Sequence, residues 1–477
     1  MAHLTIVWIA SAFCWGFLIY LLPRLTRLLA LLGGVGSLGY GLVLAGQAEP
    51  VRLRLLDHFG VSLFLDGLTG FFIITNALVT LAVIFALWES EKSPFFFAQV
   101  LMVHGSVNVA LASTDWLSLY VALEVLSIAA FLLVVYPRGE RVIWVGLRYL
   151  LVSNVAMLFY LVGAVLVYES HHSFDFVGLG EAPPEAMALL LLGLLVKGGV
   201  FPLGLWLPMT HGEAEAPVSA LLSGVVVKAP LLPLIRCALL VPQVEPVVRL
   251  VGVGTAVLGV LYGMFAQDTK RVLAWSTTSQ VGFILAAPEV GGFYALAHGL
   301  VKAALFLLAG QLPSRRLAVL QQEGMPRALG IPWTLACCSM AGFPLLAGFG
   351  AKVLTMQHLL PWQVWGMTGA AVGTATIYAG AFLLPWKPLA VPLTAGFWAA
   401  MGVLLGGLAV ANGVYDEAFT WESVWKSLVI IACGWGLYWG AVRRVGVRLP
   451  LGLERLEHLL GMMSVGLVVL FWLVWSW

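Results

Sequence analysis

The sequence predicts an all-α polytopic membrane protein with about 14–16 transmembrane helices, and three observations carry that prediction. Of 477 residues, 61% are hydrophobic and only 10% are charged, against about 25% charged residues in an average soluble domain. The apolar residues gather into stretches long enough to cross a ~30 Å hydrocarbon core, which takes roughly 20 helical residues. The basic residues between those stretches are distributed unevenly.

In chain order, candidate spans fall near 4–22, 28–46, 66–88, 96–113, 115–136, 143–168, 186–206, 216–241, 248–267, 271–288, 291–310, 331–356, 365–385, 390–412, 425–442 and 459–477. That makes about sixteen, or fourteen or fifteen if a short one lies on the membrane surface. The first has no basic segment before it and no small-residue cleavage site, so it reads as a helix and not as a signal peptide. The loops test the count. Arg24, Arg27, Lys92, Arg138, Arg141, Lys270, Arg271, Arg315, Arg316, Arg327, Lys387, Arg443, Arg444, Arg448 and Arg455 fall in or beside odd-numbered loops, whereas Arg52, Arg54, Arg249 and Lys426 belong to even-numbered ones. An excess of Lys and Arg marks the cytoplasmic side. The odd loops are therefore expected in the cytoplasm and both termini on the far side. The expected location is a bacterial-type inner membrane or a thylakoid-type membrane.

Several function classes are excluded. Cys14, Cys237, Cys337, Cys338 and Cys433 lie in apolar segments without CxxC spacing, as small buried residues do. His171 and His172 share a loop without the partner spacing of a metal site. No Rossmann glycine pattern, P-loop, haem or iron–sulfur ligand set is present. The chain is expected to work without a cofactor or metal of its own, and nothing points to nucleic acid.

Six of the 25 basic residues fall in no loop: Arg148, Lys197, Lys228, Arg236, Lys302 and Lys352. Arg148 and Arg236 stand near helix ends, where a long side chain can snorkel to the interface. The four lysines lie deeper, as does Glu124 in LYVALEVLSIAAFLLV. A charge at the bilayer centre costs at least ~2.5–3.5 kcal/mol, so five of them point to function.

The segment LLVKGGVFPLGLWLP sets Gly198, Gly199 and Pro202 directly after Lys197. These residues interrupt a helix, and a broken helix at membrane depth is tolerated where it is buried in protein or lines a wet cavity. Burial disfavours a charged amine and a nearby carboxylate restores it, so a lysine held between the two exchanges its proton as a neighbour moves. AGFPLLAGFGAK repeats the combination at Lys352. Lys197 falls in the seventh span and Lys352 in the twelfth. An offset of five, an odd number, makes two inverted five-helix repeats containing broken helices, as in inverted-repeat transporters. His298 precedes Lys302 by four residues, so both face one side of the eleventh span, a spacing suited to proton relay. His104, Ser106 and Asn108 in the fourth span, His211, Glu213 and Glu215 after the first break, and the run Ser276, Thr277, Thr278, Ser279, Gln280 add polar groups along the path. Asp66 and Asp115 stand at helix starts, as caps do.

These blocks resemble, in order, the antiporter-like family shared by respiratory complex I (its L-, M- and N-type membrane subunits) and the Mrp cation/proton antiporters (their A and D subunits), over about residues 60–360. Glu124 in EVLSIAAFLLV resembles the family's helix-five glutamate, and Lys197 in KGGVFPLGLWLP its helix-seven lysine. HGEAEAPVSALLSGVVVKA resembles the segment leading to the helix-eight lysine, here Lys228. DTKRVLAWSTTSQVGF and HGLVKAALFLLAG resemble the next two blocks, the second carrying His298 and Lys302, and AGFPLLAGFGAK supplies Lys352 as the helix-twelve lysine.

The resemblance implies proton translocation through two linked halves, residues 93–242 and 243–388, flanked by N-terminal helices (1–92) and C-terminal helices (389–477). Glu124 and Lys197 would pair in the first half. Lys228, His298 and Lys302 would bridge the middle with water between them, and Lys352 would be the terminal site. It implies a multi-subunit complex in the lipid bilayer, with other membrane subunits as partners and with protons, and in an antiporter sodium, as cargo. KGGVFPL and the STTSQVG run resemble Mrp D subunits, whereas HGEAEAPVSA resembles M-type subunits of complex I. Gly204 stands where the family often has a histidine or aromatic residue, and Met209 where complex I relatives often have aspartate. The expected function is a subunit of an Mrp-type antiporter. The alternatives are a proton-pumping subunit of a complex I-like oxidoreductase or hydrogenase, without redox chemistry of its own, and an energy-coupling subunit for inorganic-carbon uptake.

Overall fold

The computed structural model describes residues 1–55, 60–388, 393–444 and 455–476. Arg448, the first three residues of the fourteenth predicted span (390–392) and Trp477 lie outside the described residues.

The apolar stretches form helices because only helices satisfy every main-chain polar group within one segment in a hydrocarbon environment. Six continuous crossings come first: α1 (Ala2–Leu21), α2 (Thr26–Ala45), α3 (Gly67–Ala86), α4 (Pro94–Ala112), α5 (Trp116–Val134) and α6 (Glu140–His171). The seventh crossing is broken into α7 (Pro184–Lys197) and α8 (Trp206–Glu213). The eighth is broken into α9 (Ala216–Gly224) and α10 (Leu231–Leu240), with a 3₁₀ turn at Val226–Lys228 between them. Then come α11 (Val244–Phe265), α12 (Thr269–Ala286) and α13 (Gly291–Ala309), followed by the short loop helix α14 (Leu317–Glu323). The twelfth crossing is broken into α15 (Arg327–Ala341) and α16 (Ala347–Gln357). The last four helices are α17 (Val364–Phe382), α18 (Ala395–Val414), α19 (Trp421–Leu437) and α20 (Leu456–Ser476). Strands are confined to loops: β1 (Val51–Arg54) pairs antiparallel with β2 (Ser62–Leu65), and β3 (Met325–Pro326) runs parallel to β4 (Trp386–Lys387).

Among the described residues, eleven helical stretches are long and apolar enough to cross a membrane unaided, the broken eighth crossing counting as one of them. The other predicted spans fall short for local reasons: two are broken, α12 carries the Ser/Thr run, α17 is rich in Gly, Ala and Thr, and α19 has 17 residues. The breaks in the seventh and twelfth crossings lie five apart, as the inverted-repeat reading expects.

Loop contacts sort the chain into two faces. On one face, Arg27 donates to the Ser90 carbonyl at 2.8 Å, Lys92 pairs with Glu215 at 2.6 Å and Arg141 with Glu213 at 2.7 Å. Arg315 pairs with Asp268 at 3.0 Å, and Gln321 donates to the Tyr438 hydroxyl at 3.1 Å. These contacts join odd-numbered loops. On the other face, Arg54 pairs with Asp175, the Ser62 amide donates to Asp115, Arg249 pairs with Glu289 and Gln363 donates to the Ala286 carbonyl, all joining even-numbered loops. A miscounted span would have mixed the two sets.

Asp66 and Asp115 cap α3 and α5, accepting from the Thr69 amide at 2.9 Å and the Ser118 amide at 2.7 Å. Arg236 does not snorkel. It is 6% exposed and donates to Asp66 Oδ1 at 2.9 Å, because a carboxylate within reach makes a paired, buried guanidinium competitive with a solvated one. Close helix packing uses small residues: a Cβ at Gly259 of α11 would stand 2.5 Å from the Ser279 amide nitrogen of α12.

Candidate functional site

The break after Lys197 is built from its sequence. The last carbonyls of a helix lack intrahelical partners, and a left-handed residue just past the end lets the chain fold back on them. Gly199 takes that conformation (φ +68°), the Val200 amide donates to the Leu195 carbonyl at 3.0 Å, and the Gly199 amide donates to the Val196 carbonyl at 3.2 Å. The Trp206 indole, at the start of α8, adds a 2.8 Å hydrogen bond to the Val196 carbonyl. The Phe201–Pro202 peptide bond is cis. A Cβ at Gly204 would overlap the Gly199 main chain, which explains a glycine where the family often carries a larger residue.

The twelfth crossing ends its first part in the same way. Gly342 is left-handed (φ +88°), the Phe343 amide donates to the Cys338 carbonyl at 2.9 Å, and the Gly342 amide donates to the Ser339 carbonyl at 3.1 Å. The two breaks are thus the same main-chain motif, written with different residues.

All four intramembrane lysines are buried, from 0% exposed at Lys302 to 8% at Lys352. Each donates to a main-chain carbonyl. Lys228 Nζ reaches the Ser223 carbonyl at 2.8 Å, at the end of α9. Lys352 Nζ reaches the Met340 carbonyl at 2.7 Å and the Ala341 carbonyl at 3.2 Å, at the end of α15. A cation is favoured there by the helix dipole. Lys302 Nζ donates to the Leu273 carbonyl at 2.8 Å and the Tyr378 hydroxyl at 3.0 Å. Lys197 differs. It donates to the Leu123 carbonyl at 3.3 Å and to Ser127, and forms an ion pair with Glu124 at 3.0 Å. Among the described residues, Lys197 has a carboxylate partner and the other three lysines have none.

His298 faces the same side of α13 as Lys302, and neither of its ring nitrogens has a hydrogen-bond partner among the described residues. The Lys228 side chain lies against Gly299, its Cε 3.5 Å from where a Cβ would stand, which brings the eighth crossing beside His298. A small cavity lies between His298 and Lys352, lined also by Gln280, Tyr294 and Ser339. The structure therefore assembles the predicted residues as one pair (Glu124, Lys197) and one buried group (Lys228, His298, Lys302) continuing to Lys352.

Other polar residues divide. The run on α12 radiates to four neighbours: Ser276 to Tyr378 and Thr277 to Ser223, with Ser279 bonding the Ala256 carbonyl and Gln280 bonding Thr374. His104 and Asn108, in contrast, lie in a closed ring among α1 to α4. Ser37 Oγ accepts from Trp8 at 3.0 Å and Asn108 at 3.1 Å, so its own proton goes to His104 Nε2 at 2.7 Å. His104 Nδ1–H then donates to Thr80, Thr80 to Asn76, and Asn76 to Asn108. That ring consumes its own donors. Sequence reasoning missed Ser127 and Tyr378. Tyr378 is 76 residues from Lys302, and no spacing rule links the two.

The family described as "NADH:quinone oxidoreductase/Mrp antiporter, TM" matches residues 113–378. NAD(P)H-quinone oxidoreductase chain 4 2 of Trichodesmium erythraeum is 31% identical over 398 residues, 76% of this chain and 70% of that one. A chain of the Mrp complex from Dietzia sp. has a TM-score of 0.78 and 22% identity, covering 97% of this chain and 59% of its own. A chain of the membrane-bound sulfane sulfur reductase, an archaeal respiratory membrane complex, has a TM-score of 0.77 and 21% identity, covering 92% and 99%. At such identities the two structures speak to the fold.

Proposed function

Because the chain belongs to the NADH:quinone oxidoreductase/Mrp antiporter family of membrane subunits, we propose that it carries protons along Glu124, Lys197, Lys228, His298, Lys302 and Lys352, with residues 93–242 and 243–388 as the two halves of the path. The observation that carries this reading is the setting of the lysines. Among the described residues, Lys228, Lys302 and Lys352 rest on main-chain carbonyls without a carboxylate partner. After losing a proton, the amine still donates to the same carbonyl. The hydrogen bond to the carbonyl is therefore kept in both states, as a site that cycles requires.

The odd-numbered loops face the cytoplasm in this reading and both termini face away, on the strength of their Lys and Arg excess. A membrane-subunit partner is supported by Glu124. Its side chain is 21% exposed on a helix face with Val121 (54% exposed), Val125 (38%) and Ile128 (51%). A carboxylate there meets lipid unless another subunit covers it, and intramembrane acids face protein or water.

The finer reading is a subunit of an Mrp-type cation/proton antiporter, moving protons against sodium or another cation, and rests on KGGVFPL and the STTSQVG run. A second reading, a proton-pumping subunit of a redox complex, is favoured by the 31% identity to the cyanobacterial NAD(P)H-quinone oxidoreductase chain. Purifying the native complex in mild detergent and identifying its subunits by mass spectrometry separates them. Small cation-antiporter subunits are the expected companions. Flavin or iron–sulfur subunits would replace the first reading by the second.

A further inference from the structure

The joint between the broken seventh and eighth crossings is gripped from four directions. It comprises residues 212–215, from the last residues of α8 to the N-cap of α9. The Arg315 guanidinium donates to the Gly212 carbonyl, and Arg141 pairs with Glu213 at 2.7 Å. Lys270 donates to the Ala214 carbonyl, and Lys92 pairs with Glu215 at 2.6 Å. Four consecutive residues thus each receive one cation. Lys92 precedes α4 and Arg141 opens α6, on the N-terminal side of the joint. Lys270 opens α12 and Arg315 precedes α14, on its C-terminal side.

The arrangement follows helix electrostatics. The Gly212 and Ala214 carbonyls lie at the C-terminal end of α8, where carbonyls lack partners and cations are favoured. Glu215 is the N-cap of α9, where an anion is favoured. The helices α8 and α9 have 8 and 9 residues, too few to persist without outside packing. Their position is therefore set by what surrounds them, the four cations included. What they carry bears on the proton path: the Ser223 carbonyl at the end of α9 receives Lys228, and the fully buried His211 of α8 has no hydrogen-bond partner for either ring nitrogen among the described residues. The His211 ring stands 5.9 Å from Phe306 of α13, the helix of His298 and Lys302.

We propose that these four cations form a clamp that fixes the α8–α9 joint, making Lys92, Arg141, Lys270 and Arg315 positioning residues for proton transfer through Lys228. The proposal rests on the proton-path reading. The clamp is graded. Lys270 is 5% exposed, and Lys92 is part-buried with its ammonium over the Tyr136 ring at 4.6 Å, so these two dominate. The Arg141 side chain is 72% exposed and its pair is screened by water. Misplacing reacting groups by about 1 Å costs roughly 10²-fold in rate, so loosening the joint slows transfer even where the complex still assembles.

The test measures proton translocation per assembled subunit in inverted vesicles carrying the full complex, driven by NADH or a sodium gradient, whichever drives the wild type. Lys92→Gln and Lys270→Met are expected to lower that rate about tenfold or more, Arg141→Gln to lower it less than either, and Lys92→Arg to keep it within about threefold. Where a neutral variant fails to assemble, Lys92→Arg and Glu215→Asp grade the same pair. Wild-type rates per assembled subunit in Lys92→Gln and Lys270→Met, with or without reduced assembly, would overturn the clamp. Lys197→Ala in the same vesicles separates the two ideas: normal translocation in that variant removes the proton-path reading itself, whereas its loss beside an unaffected Lys92→Gln removes only the clamp.

Discussion

Lys197→Ala is expected to abolish proton translocation while leaving the subunit assembled in the membrane. The end of α7 is held by main-chain hydrogen bonds through Gly199 and Val200 and by the Trp206 indole. None of these uses the lysine side chain, so the break survives its removal. What disappears is the amine that meets Glu124, Ser127 and the Leu123 carbonyl together. A positioned acid–base group contributes about 10²–10⁴-fold, so the rate per assembled subunit should fall by at least ~10²-fold. Glu124→Gln gives the contrast. It keeps Ser127 and the Leu123 carbonyl as partners and removes only the charge, and a loss of about tenfold is expected, within the range of a single charge-assisted hydrogen bond. An alanine variant that translocates normally would mean the first half does not use this lysine.

What was legible in the sequence divides along a physical line. Spans and faces were legible because length and charge placement are one-dimensional: every long helix follows an apolar stretch, and odd-numbered loops meet one another in space. The breaks in the seventh and twelfth crossings were legible because glycines and a proline beside Lys197 and Lys352 advertise them, whereas the break in the eighth crossing, read as one continuous span, was not. The acceptors of the lysines were not. Ser223, Leu273 and Met340 contribute carbonyls, and every residue has one. Arg236 was misjudged because its partner Asp66 lies 170 residues away, and local context alone favours snorkelling. His104 is a related case. Its polarity was visible in the fourth span, but the ring that occupies it closes on Ser37, Asn76 and Thr80 of other helices.

Lys352→Ala tests the far end of the path, and its outcome is expected to have two parts. The Lys352 ammonium satisfies the Met340 and Ala341 carbonyls at the end of α15, and a buried acceptor left unpaired costs about 1–3 kcal/mol. Assembly is therefore expected to fall moderately, which immunoblotting of membranes measures. The functional part is larger. Lys352 shares a cavity with His298, so its loss leaves the central group without a terminal site, and the rate per assembled subunit should drop by at least ~10²-fold. Lys352→Arg separates the parts. It restores a cation to the α15 carbonyls but holds its proton too tightly to exchange it. Normal assembly with abolished translocation is expected for the arginine variant. If it pumps as well as the wild type, the lysine serves only to cap α15, and the second half must release its proton elsewhere.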